Sequence, residues 1–163
     1  EFTSLLTRFS NPLFGMLAGA LLTAVIQSSS ASVGILQALC VTGAVSYNVA
    51  LPIIMGQNIG TCVTALLSAV GASKNAKRAA MVHLYFNIIG TAIFMSLFYF
   101  LHLFVDFSFM SQAAGPAGIA VIHSMFNIFA TLVLLPFSMD DVICLLDRGL
   151  TLIPLMIIQA KNS

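Results

Sequence analysis

Charged side chains are scarce in this sequence. Of its 163 residues, 7% are Asp, Glu, Lys or Arg, and no charge at all occurs in the tracts 9–73, 79–105 and 107–139. Apolar residues make up 60% of the chain, more than a soluble globular domain of this size contains. The composition therefore predicts an all-α, multi-pass integral protein of the cell membrane, surrounded by the lipid bilayer. The net charge of +1 favours no nucleic-acid partner.

Cysteines are few and form no pattern. Cys40, Cys62 and Cys144 are odd in number, far apart and embedded in apolar sequence, so we interpret them as small core residues. The sequence has no cluster of nucleophile, base and orienting group and no metal-ligand spacing, so catalysis is not expected. Because the chain begins with Glu and carries no cleavable leader, we expect it to be a piece of a longer protein.

One small basic cluster predicts an orientation. Lys74, Lys77 and Arg78 occur together in the stretch SKNAKRAA, whereas the other basic residues are scattered. Under the positive-inside rule, short connections rich in Lys and Arg lie on the cytoplasmic side. We therefore predict a cytoplasmic loop at this cluster.

The uncharged tracts differ in length. A helix needs about 20 residues to cross about 30 Å of hydrocarbon, and residues 79–105 and 117–137 meet that length. The first tract instead holds shorter apolar pieces, which we predict to be half-spans: 12–26, 33–43, 49–56 and 62–73. They are separated by polar stretches at 27–32, 42–48 and 56–61. Irregular backbone at membrane depth persists only where protein or a water-filled cavity covers it, so the pattern predicts broken, re-entrant helical hairpins around a site.

These lengths divide the chain into four parts. A leading segment (1–11) precedes a re-entrant hairpin region (12–73). A basic loop and two full transmembrane helices follow (74–137). Several interruptions in the last part, 138–163, predict an interfacial helix or a linker there.

Four consecutive hydrogen-bonding side chains, Gln27, Ser28, Ser29 and Ser30, interrupt an otherwise apolar run. A single serine in a membrane helix is usually a small packing residue bonded to its own backbone. Four adjacent polar residues on a continuous helix would point in all directions, and at least one would face lipid at a cost of about 2–7 kcal/mol. A helix break that faces a ligand avoids that cost, so we predict a binding site here.

A second polar stretch, GQNIGT at 56–61, follows the same logic. Its polar residues lie between glycines, which allow close backbone approach. Thr61 and Thr64 are three residues apart and therefore share a helical face. Gln27 and Gln57 fall thirty residues apart, and each closes a short apolar piece. This arrangement predicts two arms that converge on one cavity.

Together these residues resemble a known family. QSSSASVGILQ at 27–37, followed by GQNIGTCVTALLSAVGASKNAKRAAMVHLYFNIIG at 56–90, is similar to the sodium-phosphate cotransporter family, in particular to the second of its two related repeats in bacterial members. The resemblance covers roughly residues 9–137. It implies sodium-coupled import of inorganic phosphate, with this chain as one repeat of an inverted-repeat transporter.

The same resemblance implies roles for individual residues. Phosphate binding would involve Gln27, Ser28, Ser29 and Ser30. Sodium binding would involve Gln27, Ser28, Gln57, Thr61 and Thr64, with Ser32, Asn58 and Gly60 as supporting residues. Members of the family carry two QSSS repeats of inverted topology, and this chain holds one. A complete site would therefore need a second repeat or a second copy of the chain.

The scarcity of basic residues bears on how an anion could be held. No Lys or Arg occurs from Phe9 to Ser73, so only hydroxyls, amides and helix N-terminal N–H groups are available there. These neutral donors cannot cancel a full charge, whereas sodium can, and hard cations prefer hydroxyl, amide and carbonyl oxygens. In a low-dielectric site the two charges attract strongly, so each ion would bind weakly alone and tightly with the other.

A further pattern recurs in the two full spans. HLYFNIIGT at 83–91 and HSMFNIFAT at 123–131 match at five positions, and their His, Asn and Thr residues recur every four residues on one helical face. These two polar stripes are His83, Asn87 and Thr91, and His123, Asn127 and Thr131. Interhelical hydrogen bonds of a scaffold or dimer contact, worth about 1 kcal/mol each, are one interpretation. A proton or ion path is the other.

Two other functions stay open at this point. A channel would use the same half-helices but should leave a continuous polar path. A non-transporting membrane scaffold or oligomerisation module would account for the paired stripes, but it leaves the QSSS and NIGT motifs without a role.

Overall fold

The computed structural model describes residues 11–136 and contains helices and loops but no strand within that range. The helices are α1 (Pro12–Ile26), α2 (Ser29–Val41), α3 (Tyr47–Ser68), α4 (Lys74–Phe104) and α5 (Pro116–Leu134), with a short 3₁₀ helix at Ser108–Ser111. The all-α prediction is confirmed. The segment predicted for 138–163 and most of the one predicted for 1–11 lie outside the described residues.

Three helices, α3, α4 and α5, are long and apolar enough to cross a membrane. The last two confirm the two predicted full spans. Helix α4 begins earlier than expected, because Ser73 caps its first turn, so Lys74, Lys77 and Arg78 lie in the first turns of a helix and not in a loop. Its 31 residues correspond to about 46 Å, more than the thickness of a hydrocarbon core.

The predicted break at 56–61 is wrong, because α3 continues through it without interruption. The polar side chains of this stretch are satisfied along the helix itself. Asn58 Nδ2 donates to the Ile54 carbonyl at 2.9 Å, and Thr61 Oγ1 donates to the Gln57 carbonyl at 2.9 Å. The pieces 49–56 and 62–73 are therefore not separate half-spans.

The predicted break in the QSSS motif is present but shorter than expected. Gln27 ends α1, and Ser28 caps α2 by accepting a hydrogen bond from Ala31 N at 3.3 Å. Helix α2 then begins at Ser29, so only two residues of 27–32 lie outside a helix. Both α1 and α2 are shorter than a membrane span, at 15 and 13 residues.

Helices α1 and α3 pack with their backbones in contact. A Cβ atom added at Gly56 would overlap the backbone of Met16, and one added at Gly60 would overlap the carbonyl of Ala20. Gly19 on α1 meets the Ile53 carbonyl of α3 in the same way. Small residues allow such close approach between membrane helices, where van der Waals packing stabilises association. Met16 meets Gly56 and Ala20 meets Gly60, so residue numbers rise in the same direction along both helices. Helices α1 and α3 therefore run parallel.

The turn between α1 and α2 lies beside the middle of α3. Helix α2 folds back antiparallel to α3, and the carbonyl of Ser32 in its first turn accepts a hydrogen bond from Gln57 Nε2 at 2.9 Å. Gln57 is the eleventh of the 22 residues of α3, about 16 Å from either end. The polar tip of the α1–α2 hairpin is therefore level with the centre of a helix of spanning length.

Backbone hydrogen bonds join the opposite end of the bundle. Ala114 N donates to the Val45 carbonyl at 2.8 Å, and Tyr47 N donates to the Gln112 carbonyl at 3.1 Å. Gln37 Nε2 of α2 adds a bond to the Pro116 carbonyl at 3.0 Å. These contacts fix the start of α5 against α2 and α3. Cys40 and Cys62 are buried, as predicted for small core residues, whereas Cys144 lies outside the described residues.

Candidate functional site

The turn at the hairpin tip contains a strained residue. Gln27 has φ 57°, and within residues 11–136 it is the one non-glycine residue with a positive φ. Its backbone N–H donates to the Thr23 carbonyl at 2.7 Å, which ends α1. A left-handed conformation costs an L-residue about 1–2 kcal/mol, and such strain is concentrated at ligand sites. The side chain of Gln27 is exposed, so packing does not account for the choice of glutamine.

This strain supports a prediction about stability. Gln27→Gly removes the steric penalty, so we expect the free energy of unfolding to rise by about 0.5–1 kcal/mol, whereas Gln27→Ala keeps the penalty and should leave it unchanged. Thermal unfolding of the purified variants measures the difference. A Gln27→Gly protein less stable than Gln27→Ala would contradict the explanation.

A buried polar cluster lies directly behind the tip. Thr23 Oγ1 donates to Ser32 Oγ at 2.7 Å, and both side chains are fully buried. Gln57 is 1% exposed, and its Nε2 is bonded to the Ser32 carbonyl. Its Oε1 is also buried but has no hydrogen-bond partner among the described residues. An unsatisfied buried acceptor costs about 1–3 kcal/mol, which makes this oxygen a candidate contact for a bound cation or hydrogen-bond donor.

The threonines that follow Gln57 keep their acceptor capacity. Thr61 Oγ1 donates to the Gln57 carbonyl, and Thr64 Oγ1 donates to the Thr61 carbonyl at 2.7 Å. Each hydroxyl uses its hydrogen in this bond, so the oxygen lone pairs remain available. Both residues are partly buried. Together with Gln57 Oε1 they supply neutral oxygen atoms on one side of α3.

A cavity of about 220 Å³ lies between the hairpin tip and the helices α3, α4 and α5. Residues from both motifs and from both polar stripes line it: Ser29, Asn58, Thr61, His83, Phe86, Asn87, His123 and Asn127. The fold thus joins sequence features that are up to about a hundred residues apart in one polar cavity.

The side-chain hydrogen bonds of the polar stripes run mostly along their own helices. Asn87 Nδ2 donates to the His83 carbonyl at 2.9 Å, and Asn127 Nδ2 donates to the His123 carbonyl at 2.8 Å, so both bonds run along their own helix. The exception is His123, whose Nε2 lies 3.2 Å from Asn58 Oδ1 on α3. Because Asn58 Nδ2 already donates to Ile54, its Oδ1 is the acceptor and His123 Nε2 carries the hydrogen.

The predicted site residues are only partly brought together. Ser29 and Thr61 share the cavity with Asn58, whereas Gln57 is not among the residues that line it and bonds instead to the Ser32 carbonyl. Gln27 and Ser30 are exposed. Gly60 serves helix packing. The four His and Asn residues of the cavity were absent from the predicted site, although the repeated HxxFN pattern had singled them out.

Comparisons with known proteins show which sequences this chain is similar to. The family model described as Na+/Pi-cotransporter matches residues 1–115. YqeW of Bacillus subtilis (strain 168), an uncharacterized protein, is 35% identical over 125 residues, which are 76% of this chain and 39% of YqeW. Sodium-dependent phosphate transport protein 2B of Homo sapiens is 37% identical over 101 residues, 58% of this chain and 15% of that protein.

A third relative has a name that specifies export. YjbB of Escherichia coli (strain K12), described as a candidate inorganic phosphate export protein, is 32% identical over 127 residues, 77% of this chain and 22% of YjbB. No solved structure matches the chain significantly. The chain spans well under half the length of each of these relatives.

Proposed function

The chain belongs to the Na+/Pi-cotransporter family, and from that premise we propose that it forms half of a site that binds inorganic phosphate together with sodium and carries both across the cell membrane. The direction we propose is import. Phosphate transport is the function named for several relatives, and one of those names specifies export. The α1–α2 hairpin acts as a re-entrant element, since two helices too short to span the bilayer meet in a polar tip level with the middle of α3.

The observation that carries the sodium part of the proposal is the buried Gln57 Oε1 without a partner. An amide oxygen with no donor nearby is a ligand that a hard cation prefers. Thr61 and Thr64 add hydroxyl oxygens whose hydrogens already point to the backbone. Gln27 and Ser28 complete the sodium set when the hairpin tip closes over the ion.

Phosphate binds at the tip itself, through Gln27, Ser28, Ser29 and Ser30. The first N–H groups of α2 point toward this position, and a helix N-terminus favours an anion. No carboxylate occurs between Phe2 and Val105, so nothing in this part of the chain repels phosphate or neutralises sodium. The two ions therefore stabilise each other, because opposite charges attract strongly in a low-dielectric site.

The other half of the site comes from a second repeat in a longer chain or from a second copy of this chain. Gln27 and Ser30 are exposed here, so oxygens of a phosphate bound between them would lack partners on one side. A phosphate that leaves water for a site with donors on one side only loses hydrogen bonds that the site does not replace. Within an inverted-repeat transporter, the partner repeat covers this side.

Sodium dependence tests the proposal. We expect the purified chain in nanodiscs to retain radiolabelled phosphate in sodium chloride and to lose it in choline chloride. Retention that is equal in the two salts would refute sodium coupling. In liposomes, the same chain should bind without sodium-driven uptake, because one repeat lacks the second half of the pathway, and robust uptake would show that the single repeat is sufficient.

Thr61→Val tests the sodium set directly. Valine keeps the shape of the side chain but removes the oxygen, so we expect the sodium concentration for half-maximal phosphate retention to rise several-fold while the amount of protein in the membrane stays the same. Thr131→Val is a matched control, since Thr131 makes the same bond to the carbonyl four residues earlier but lies outside the site. A sodium dependence identical to that of the wild type would count against the assignment.

A further inference from the structure

The cavity between α3, α4 and α5 contains groups to which the proposed site gives no role. His83 and Asn87 of α4 and His123 and Asn127 of α5 line it together with Ser29 of the phosphate motif. We propose that phosphate occupies this cavity during transport, that the His83 imidazole donates a hydrogen bond to one of its oxygens, and that His123 Nδ1 and the two asparagine oxygens accept from its P–OH groups. This inference rests on the proposed function and adds four residues to it.

The charges near the Ser29 wall of the cavity favour an anion there. Lys74, Lys77 and Arg78 lie in the first turns of α4, and His83 follows Arg78 by five residues, about 7.5 Å along the helix. Ser29, the first residue of α2, brings the positive end of that helix dipole to the cavity wall. Asp106, the one carboxylate in the described range, follows the far end of α4. The N-terminus of α2 therefore favours an anion at this wall of the cavity.

The hydrogen-bond geometry favours a partly protonated oxyanion. Asn87 and Asn127 each commit one amide N–H to a histidine carbonyl, which fixes the amide plane and leaves Oδ1 as an acceptor for an occupant. Phosphate at neutral pH carries at least one P–OH donor in each of its main forms, whereas sulfate carries none. Acceptors in the wall therefore select phosphate against sulfate, because a fully ionised oxyanion would leave them without a donor.

The position of His123 is set by a neighbour. Its Nε2–H donates to Asn58 Oδ1, which orients the ring from the centre of α3. Asn58 belongs to the NIGT motif, and its own nitrogen is fixed by Ile54. The motif therefore contributes to phosphate binding through the orientation of an imidazole on another helix, in addition to the sodium oxygens that it supplies.

Histidine labelling separates this proposal from the proposed function. The chain has three histidines, of which His83 and His123 line the cavity while His102 lies near the far end of α4, where its Nδ1 accepts a bond from Phe107 N at 3.3 Å. In the wild-type chain in nanodiscs, added phosphate should shift the imidazole ¹⁵N signals of His83 and His123 and leave that of His102 unchanged. Sulfate at the same concentration should shift none of them.

Substitutions give the second measurement. We expect His83→Leu and His123→Leu each to weaken phosphate retention about tenfold or more, and His102→Leu to leave it unchanged. Asn127→Leu should reduce the preference for phosphate over sulfate.

If phosphate is retained in a sodium-dependent manner while the imidazole signals stay in place, the inference is wrong and the proposed function stands. If phosphate shifts those signals equally in choline, the cavity assignment stands and sodium coupling falls. If phosphate is neither retained nor shifts a signal, both are refuted.

Discussion

Gly56→Val should prevent the chain from folding. The added side chain would overlap the backbone of Met16, and a helix backbone cannot move aside as the end of a flexible side chain can. Helix α1 would have to separate from α3, which removes the main support of the hairpin tip. We expect loss of monodisperse protein on size-exclusion chromatography and loss of a cooperative thermal transition. Phosphate binding should be lost with them.

Gly34→Val is the matched control for this experiment. Gly34 lies within α2, and a Cβ atom added there meets nothing within 4 Å. Valine at an ordinary helix position is about as favourable as glycine or slightly better, so the control variant should fold like the wild type. If both variants fold equally well, α1 does not pack against α3 at the distance described.

Gln57→Leu should abolish the sodium dependence of phosphate binding while leaving a folded chain. The substitution removes the amide oxygen proposed as a sodium ligand, and it also removes the bond to the Ser32 carbonyl. The two losses have opposite effects on stability. Leucine removes the cost of the buried Gln57 Oε1, which has no partner, but it leaves the Ser32 carbonyl without its hydrogen bond. We therefore expect a small net change in unfolding temperature and a loss of binding of at least tenfold.

Gln37→Leu provides the comparison. Gln37 also donates its amide nitrogen to a backbone carbonyl, that of Pro116, at 3.0 Å, but it lies at the opposite end of α2. Its substitution should lower stability by about 1 kcal/mol and leave the sodium dependence intact. Equal effects of the two substitutions on binding would mean that Gln57 acts through the stability of the fold and not as a ligand.

The sequence predicted the ends of the helices better than their continuity. The QSSS break was predictable because four polar residues in a row cannot all be covered on a straight helix, and Gln27 and Ser28 do leave the helix. The stretch at 56–61 has a similar composition, yet α3 continues through it. Asn58 and Thr61 bond to carbonyls of the preceding turn, and sequence alone does not indicate whether a polar side chain will bond to its own helix.

The cavity illustrates a second limit of sequence reasoning. Periodicity placed His83 and Asn87 on one face of α4, and His123 and Asn127 on one face of α5, but it did not specify what each face meets. That depends on which helices pack together. Gly90 and Ala130 allow α4 and α5 to approach closely, and His123 of α5 forms a hydrogen bond with Asn58 of α3. The stripes proved to surround the same space as the motif residues, a result that follows from tertiary packing and not from spacing.

The contact between Asn58 and His123 also bears on how the protein is made. The two residues are 65 positions apart, so at a synthesis rate of about 5–20 residues per second roughly 3–13 s separate their appearance at the ribosome. During that interval the Asn58 oxygen has no imidazole to pair with, and hydrocarbon offers no substitute. Helix α3 therefore carries an acceptor without its imidazole partner until α5 is made, and the pairing with His123 then removes that cost.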